Sequence, residues 1–147
     1  MLPDMYIHVS SSDSVVYYPE NKPTLFRVKL NSRLDLKGLW KIGVCDLVMN
    51  NIDVSASMKG GASTFSVACD ICSGFIIDGV QTRVLRTFPI QRNYQKTYPI
   101  IFYHTIETYS LDTIEFRVVN DRSEAPTFKI IHLIRIRLKK ETIKLQR

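Results

Sequence analysis

Residues 17–44, YYPENKPTLFRVKLNSRLDLKGLWKIGV, determine the fold that we predict for this chain of 147 residues. The stretch opens with a turn, because Pro19 fixes φ and Asn21 readily closes a turn through its side chain. Residues 24–30 then alternate apolar and charged side chains, which is the period of a half-buried strand. Gly38 interrupts the chain before a second apolar stretch. The sequence therefore predicts a turn, a strand, a second turn and another strand in close succession.

The rest of the chain repeats this strand pattern. It contains no internal repeat and no run of ten or more residues with a helical period. Asp78-Gly79, between residues 75–77 (FII) and 80–82 (VQT), is the strongest hairpin signal. Eight or nine short strands at this spacing predict an all-β sandwich or barrel; a jelly roll of about eight strands fits the count, and so does an immunoglobulin-like sandwich. The predicted strands are 5–10, 24–30, 39–49, 63–72, 80–88, 98–104, 111–119 and 127–138.

The alternation within these strands predicts which side chains form the core. A slip of one residue in register would expose every apolar side chain of a strand, so the inward-facing set is strongly specified. Trp40 could pack between the sheets or anchor an interface, and packing is favoured. The predicted core comprises Phe26, Val28, Leu30, Trp40, Ile42, Ile114, Phe116, Ile134 and Ile136.

Length and composition bound the class of protein. With 147 residues, 45% of them hydrophobic and 23% charged, the chain is expected to form one globular domain. We assign residues 1–138 to a β domain and residues 139–147 to a basic C-terminal tail. The chain starts without the features of a signal peptide, no apolar run reaches the length of a membrane span, and the three cysteines favour free thiols. We therefore expect a soluble product made inside a cell, with no membrane partner.

The sequence offers little support for catalysis or metal binding. Residues 69–72 form a lone CxxC motif, and the remaining candidate ligands, Cys45 and three histidines, are scattered. Because positions i and i+3 of a strand point to opposite faces, the two cysteines are expected to be small buried hydrophobes. No nucleophile elbow, P-loop or dinucleotide-binding motif occurs. We expect no catalytic residue, no metal site and no cofactor.

Basic residues are concentrated toward the C-terminus. Residues 81–147 carry 13 Lys and Arg against 6 Asp and Glu, whereas residues 1–80 carry 7 against 8. The basic run has three possible roles: a solvated edge that resists aggregation, contact with nucleic acid phosphates, or docking on an acidic neighbouring subunit. Aromatic residues do not alternate with the bases, which argues against a stacking platform for single strands. The run consists of Arg135, Arg137, Lys139, Lys140, Lys144 and Arg147.

The order of signals in residues 17–44 resembles that of a known family. A YPDN-like turn is followed by a strand and then by a run of leucine, aspartate, leucine, glycine, tryptophan and glycine over residues 34–43. This order is similar to the start of small capsid-type proteins encoded by Polinton/Maverick elements and adintovirus-like viruses. The resemblance covers these 28 residues, with only a strand pattern thereafter, and the chain departs from it at Glu20 and Lys41.

The resemblance implies a function and a set of partners. It favours a single jelly roll and implies a minor capsid protein of the penton type, which would form a homo-pentamer at capsid vertices and contact a major capsid protein. Such a subunit would be assembled inside the host cell and would reside in the virion. The alternative is a β-sandwich binding module that recognises nucleic acid or a protein partner. The turn that we expect to contribute to an interface consists of Tyr17, Tyr18, Pro19, Glu20 and Asn21.

Overall fold

The chain folds into short strands, as its sequence predicts. A computed structural model describes residues 5–12, 14–22, 24–72, 75–77, 80–107, 109–120 and 131–140. The helical segments are α1 (Val54–Ser57), capped by the Asp53 side chain, and a 3₁₀ turn (Lys59–Gly61). The strands are β1 (Met5–Val9), β2 (Leu25–Asp35), β3 (Trp40–Met49), β4 (Thr64–Cys69), β5 (Phe75–Ile77), β6 (Val80–Thr82), β7 (Val84–Pro89), β8 (Tyr94–Thr97), β9 (His104–Thr105), β10 (Ser110–Asn120) and β11 (Ile131–Lys140).

Two antiparallel sheets form a sandwich. Sheet A has the order β1-β11-β3-β8, with β9 also pairing with β3, and sheet B has the order β2-β10-β4-β7. The pairing joins strands that are far apart in the chain: β1 with β11, β2 with β10, β3 with β8, and β4 with β7. The fold class predicted from the alternation, an all-β sandwich, is therefore confirmed.

The core lies between the two sheets and contains the side chains that alternation selects. Eight of the nine predicted core residues are buried, and the ninth, Leu30, is partly buried and packs against them. On β10 the buried side chains alternate from Ile114 to Val118, but Leu111 is buried three residues before Ile114, because the register shifts between Leu111 and Thr113. Phe26 and Phe116, directly opposite each other in sheet B, stack with ring centroids 5.4 Å apart. Trp40 is buried, which agrees with the preferred interpretation that it packs between the sheets.

A separate hairpin is formed by β5 and β6. Ile77 pairs with Val80, so two residues connect the strands, which agrees with the hairpin predicted at this position. The connecting residues 78–79 lie outside the described residues, as does the beginning of the predicted last strand, residues 127–130. At its other end that strand continues past residue 138 and ends at Lys140.

The predicted strand over residues 98–104 is wrong. Strand β8 ends at Thr97, β9 begins at His104, and residues 98–103 between them form an irregular loop. The predicted strand over residues 63–72 also ends early, at Cys69, and β8 itself was not predicted. Among the described residues, no helix is long and apolar enough to cross a membrane.

Candidate functional site

The free edge of β2 is covered by residues 14–22, which we call the edge segment. The side-chain amide of Asn21 contacts the backbone of Arg27 twice: Nδ2 donates to the Arg27 carbonyl at 2.9 Å, and the Arg27 N–H donates to Oδ1 at 2.9 Å. The Lys29 N–H donates to Ser14 Oγ at 3.0 Å. Since β2 is the terminal strand of sheet B, these side chains satisfy backbone groups that an exposed edge would offer to another chain.

The edge segment also presents an apolar tip. Its chain bends at Ser14, where φ is 64° and the carbonyl accepts hydrogen bonds from the N–H groups of Tyr17 and Tyr18. Val16 is 92% exposed, Tyr17 is 64% exposed, and Val15 is exposed as well. Three consecutive exposed apolar side chains are unusual in a soluble domain unless they have a partner. Residues 15–17 are therefore a candidate contact surface.

The five residues predicted to form an interface divide into two groups. Tyr17, Pro19 and Glu20 are exposed. Tyr18 is partly buried and its hydroxyl lies 3.0 Å from Thr113 Oγ1, while Asn21 binds the β2 edge. The first group can meet a neighbour, and the second fixes the edge segment in place. Val15 and Val16 were missed, although an apolar pair before the tyrosines was a visible signal.

A second exposed apolar surface lies beside β7, at the other end of sheet B. Residues 98–103, which we call the aromatic loop, fold around Arg86 of β7. The guanidinium carbon of Arg86 lies 3.7 Å from the ring centroid of Tyr98 and 4.0 Å from that of Phe102, and Nη1 donates to the Ile100 carbonyl at 3.0 Å. Ile100 is 69% exposed and Phe102 55% exposed. The loop thus holds two apolar side chains in solvent at a fixed position.

Gly43 explains how the aromatic loop packs against β3. A Cβ at this position would collide with the Ile101 side chain and would lie 2.8 Å from the Phe102 carbonyl oxygen. The close approach therefore requires glycine. On this side β3 pairs with two separate strands on either side of Gly43: β8 lies opposite Asp46–Met49, and β9 lies opposite Lys41 and Ile42.

The other residues of the leucine–glycine–tryptophan run also have structural roles. Leu36 is buried, and its N–H donates to the Tyr109 carbonyl at 2.7 Å. Gly38 has φ +88°, which an L side chain rarely adopts. The indole N–H of Trp40 donates to the Lys37 carbonyl at 3.0 Å and closes this turn. The motif that carries the family resemblance is therefore explained by turn geometry and packing.

Buried tyrosine and histidine side chains at and next to the aromatic loop are hydrogen-bonded within the fold. The hydroxyls of Tyr94 and Tyr98 lie 2.9 Å apart, and burial, together with this hydrogen bond, raises the pKa of Tyr98 well above its ordinary value. His104 donates from Nε2 to the Leu85 carbonyl at 3.0 Å. The His104 hydrogen bond therefore joins β9 of sheet A to β7 of sheet B.

The three cysteines are free and buried, as expected. Because β4 ends at Cys69 and the chain turns, the thiols of Cys69 and Cys72 are hydrogen-bonded, whereas a continuous strand would have separated them. This hydrogen bond and burial raise the pKa of Cys69. Among the described residues, no three histidine, cysteine or acidic side chains are grouped as metal ligands would be. The side chain of His132 lies outside the described residues.

The basic run begins within β11, on the outer face of sheet A. The side chain of Tyr6 on β1 lies beside two of its members: the guanidinium carbons of Arg135 and Arg137 are 5.2 and 5.7 Å from the ring centroid. Lys139 Nζ lies 5.5 Å from the ring centroid of Tyr103. No aromatic residue alternates with these bases in the sequence, but Tyr6 and Tyr103, from distant parts of the chain, lie beside them in the fold. Lys140 ends β11, and Lys144 and Arg147 lie outside the described residues.

Comparisons with known proteins give only weak likenesses. No protein-family model matches the chain, and no curated protein matches it. Among solved structures, it is similar to a chain of the T13 particle of infectious bursal disease virus, with a TM-score of 0.30 and 10% identity, covering 92% of this chain and 30% of that chain. A second likeness is to the Gx strain of the same virus, with a TM-score of 0.29 and 8% identity, covering 92% and 32%. The chain spans about a third of the length of these viral chains, and likenesses this weak carry no argument about function.

Proposed function

We propose that this chain is a structural subunit of a viral capsid, a minor capsid protein of the penton type that performs no catalysis. The observation that carries the proposal is the pairing of the eight longer strands of the sandwich, first with last and so on inward. The four antiparallel pairs are nested, as in one long hairpin in which the chain folds back along itself. They are β1–β11, β2–β10, β3–β8 and β4–β7. Rolling that hairpin into two sheets produces a jelly roll, an architecture used by viral capsid domains.

The family resemblance supports the same proposal from a different direction. Its two glycines lie at the turn between β2 and β3 and at the contact of β3 with the aromatic loop. Gly38 takes the positive φ of the turn, and Gly43 leaves the space that the aromatic loop occupies. A subunit of this kind would reside in the virion, be assembled inside the host cell and contact a major capsid protein.

The two exposed apolar surfaces suggest how copies of the subunit would meet. A closed ring is built from a heterologous interface, in which each subunit uses two different surfaces. The tip of the edge segment lies at the β2 end of sheet B, and the aromatic loop lies beside β7 at the other end. Val16 and Tyr17 of one copy would contact Ile100 and Phe102 of the next. Repetition around an axis would give a homo-pentamer.

Native mass spectrometry tests the ring. The unmodified chain is expected to form pentamers at high concentration, whereas Val16→Asp and Phe102→Asp should each remain monomeric, because each charge disrupts one half of the contact. Tyr109→Asp changes an exposed apolar residue outside both surfaces and should assemble normally.

Mixing the two monomeric variants distinguishes a heterologous contact from a symmetric one. An equimolar mixture retains one intact contact between unlike chains, so it should give heterodimers and nothing larger. A symmetric interface would give no such dimer. If the unmodified chain stays monomeric at every accessible concentration, the capsid proposal fails and a β-sandwich binding module takes its place.

A further inference from the structure

The outer face of sheet A carries a row of cations on adjacent strands. Arg135, Arg137 and Lys139 project from the same side of β11, at every second residue and therefore roughly 7 Å apart. Lys41 of β3 lies directly opposite Lys139 in the ladder. We call these four residues, with Tyr6 and Tyr103, the cationic face.

The cationic face has few opposing charges. At the described ladder positions on this side of the sheet, Asp46 is the single acid, and it forms an ion pair with Arg135. Four bases and one acid leave a formal charge of +3. Because the strands fix these positions, the charge is held along one direction.

Two aromatic rings lie among these cations. Tyr6 pairs with Arg137 across β1 and β11, and its side chain is 50% exposed. Tyr103 of the aromatic loop is partly buried and lies beside Lys139. Nearby guanidinium groups help to fix the Tyr6 ring, while half of its surface stays open to solvent. A fixed, half-exposed ring within a cationic row can stack on a planar partner.

We propose that the cationic face binds single-stranded nucleic acid. Phosphates would follow the row of cations along β11, and an unpaired base would stack on Tyr6. Proteins that bind single strands combine a cationic track with aromatic stacking platforms in this way. An acidic protein segment would meet the charges equally well, but it would make no use of an exposed ring. The inference goes beyond the proposed capsid role, since a monomeric binding module would carry the same surface.

Fluorescence anisotropy with a labelled oligothymidylate tests the charge. The triple variant Lys41→Gln, Arg137→Gln, Lys139→Gln should lose roughly tenfold or more in affinity, and its salt dependence should become shallower by about 2 in log–log slope. The matched control Arg27→Gln, Lys29→Gln, Arg117→Gln removes the same charge from sheet B. It should bind nearly as well as the unmodified chain. Equal losses in both triple variants would mean that net charge alone drives binding, and would overturn the proposal.

Tyr6→Leu tests the stacking and avoids a change in charge. It should weaken binding to the single strand by about fivefold or more, the lower end of what a base–aromatic stack contributes. Binding to the matching duplex should not change, because paired bases cannot reach the ring. If Tyr6→Leu has no effect on either, or if polyglutamate binds as tightly as the oligothymidylate, the face serves an acidic protein and the proposal is wrong.

Two further measurements complete the design. Lys144→Gln, Arg147→Gln alters the C-terminal bases outside the described strands and should have little effect, so a loss equal to that of the triple variant would move the site away from sheet A. Urea unfolding of each variant excludes loss of structure as the cause. Anisotropy is read at concentrations at which the chain is monomeric, so failure of ring formation and failure of nucleic acid binding are distinguishable.

Discussion

The two ends of sheet B are protected in different ways. At β2, a short segment from the same part of the chain covers the edge, and one polar side chain, Asn21, satisfies both backbone groups of Arg27. At β7, a loop from the other sheet wraps around Arg86 and packs against Gly43. The first edge depends on hydrogen bonds between residues 6 and 15 positions apart in sequence, and the second on packing between more distant residues. An edge strand can thus be covered by local polar contacts or by a long-range aromatic contact, and each leaves apolar side chains exposed.

The largest expected effect comes from filling the space that the aromatic loop occupies. Gly43→Ala should lower the free energy of unfolding by about 3 kcal/mol, because the added methyl group meets both the Ile101 side chain and the Phe102 carbonyl. Gly60→Ala is the control: it lies in open space at φ +75°, so only backbone strain of about 1 kcal/mol is expected. Urea unfolding measures both. Equal losses would show that the loop does not depend on close packing at β3.

The polar edge should be less sensitive. Asn21→Ala removes two hydrogen bonds to β2 and should cost about 2 kcal/mol in urea unfolding. Asn21→Asp keeps the acceptor for the Arg27 N–H and loses only the donor, so roughly half of that loss is expected. A cost of zero for Asn21→Ala would mean that water satisfies this edge as well as the side chain does.

The arginine that holds the aromatic loop can be tested without changing its charge. Arg86→Lys removes the planar group between Tyr98 and Phe102 and should cost about 1 kcal/mol. Arg117→Lys, at an exposed position of β10, should cost almost nothing. If the two substitutions have the same effect, the charge of Arg86 matters and its stacking does not.

The smallest effect at neutral pH is expected at Tyr98, and it should change with pH. In the unfolded chain this phenol ionises near its ordinary pKa of about 10, whereas burial raises its pKa in the fold. The unfolded state therefore loses its proton first, and the stability supplied by neutral Tyr98 falls as the pH rises above 10. Tyr98→Phe cannot ionise. The difference in unfolding free energy between the two proteins should shrink from pH 8 to pH 11, and a constant difference would contradict the assigned cause.

The contrast between the edges also explains what the sequence could predict. The turn at Pro19 and Asn21 follows from chemistry that acts within a few residues, and the inward positions of Phe26 and Val28 on β2 and of residues 114–118 on β10 follow from alternation. The position of this turn over the edge of β2 was not predicted, because it depends on strand residues outside the turn. Residues 98–103 have the apolar composition of a strand, but their path is decided by Gly43 and Arg86. Those residues are distant in sequence, and no local pattern connects them to the loop.

The cationic face, too, could be predicted only in part from the sequence. The basic run that begins at Arg135 could be recognised in the sequence from its charge, and alternation predicted that its first residues lie on a strand. Tyr6 and Tyr103 were not recognised as its companions, because the pairing of β1 with β11 and the path of the aromatic loop bring them there. The spacing of residues in the sequence predicts which side chains are neighbours along one strand. Neighbours on different strands can be predicted only when the pairing of the strands is known.

The position of Trp40 gives the molecule an internal optical probe. It is the one tryptophan of the chain, its indole is buried, and in the ladder it faces Lys140, the last residue of β11. Its emission should therefore be blue-shifted in the native protein and weakly accessible to iodide or acrylamide. If the end of β11 separates from β3 before the rest of the sandwich opens, quenching should rise while the far-ultraviolet signal is still native. A single spectrum can then follow the strand that begins the basic run, without any added label.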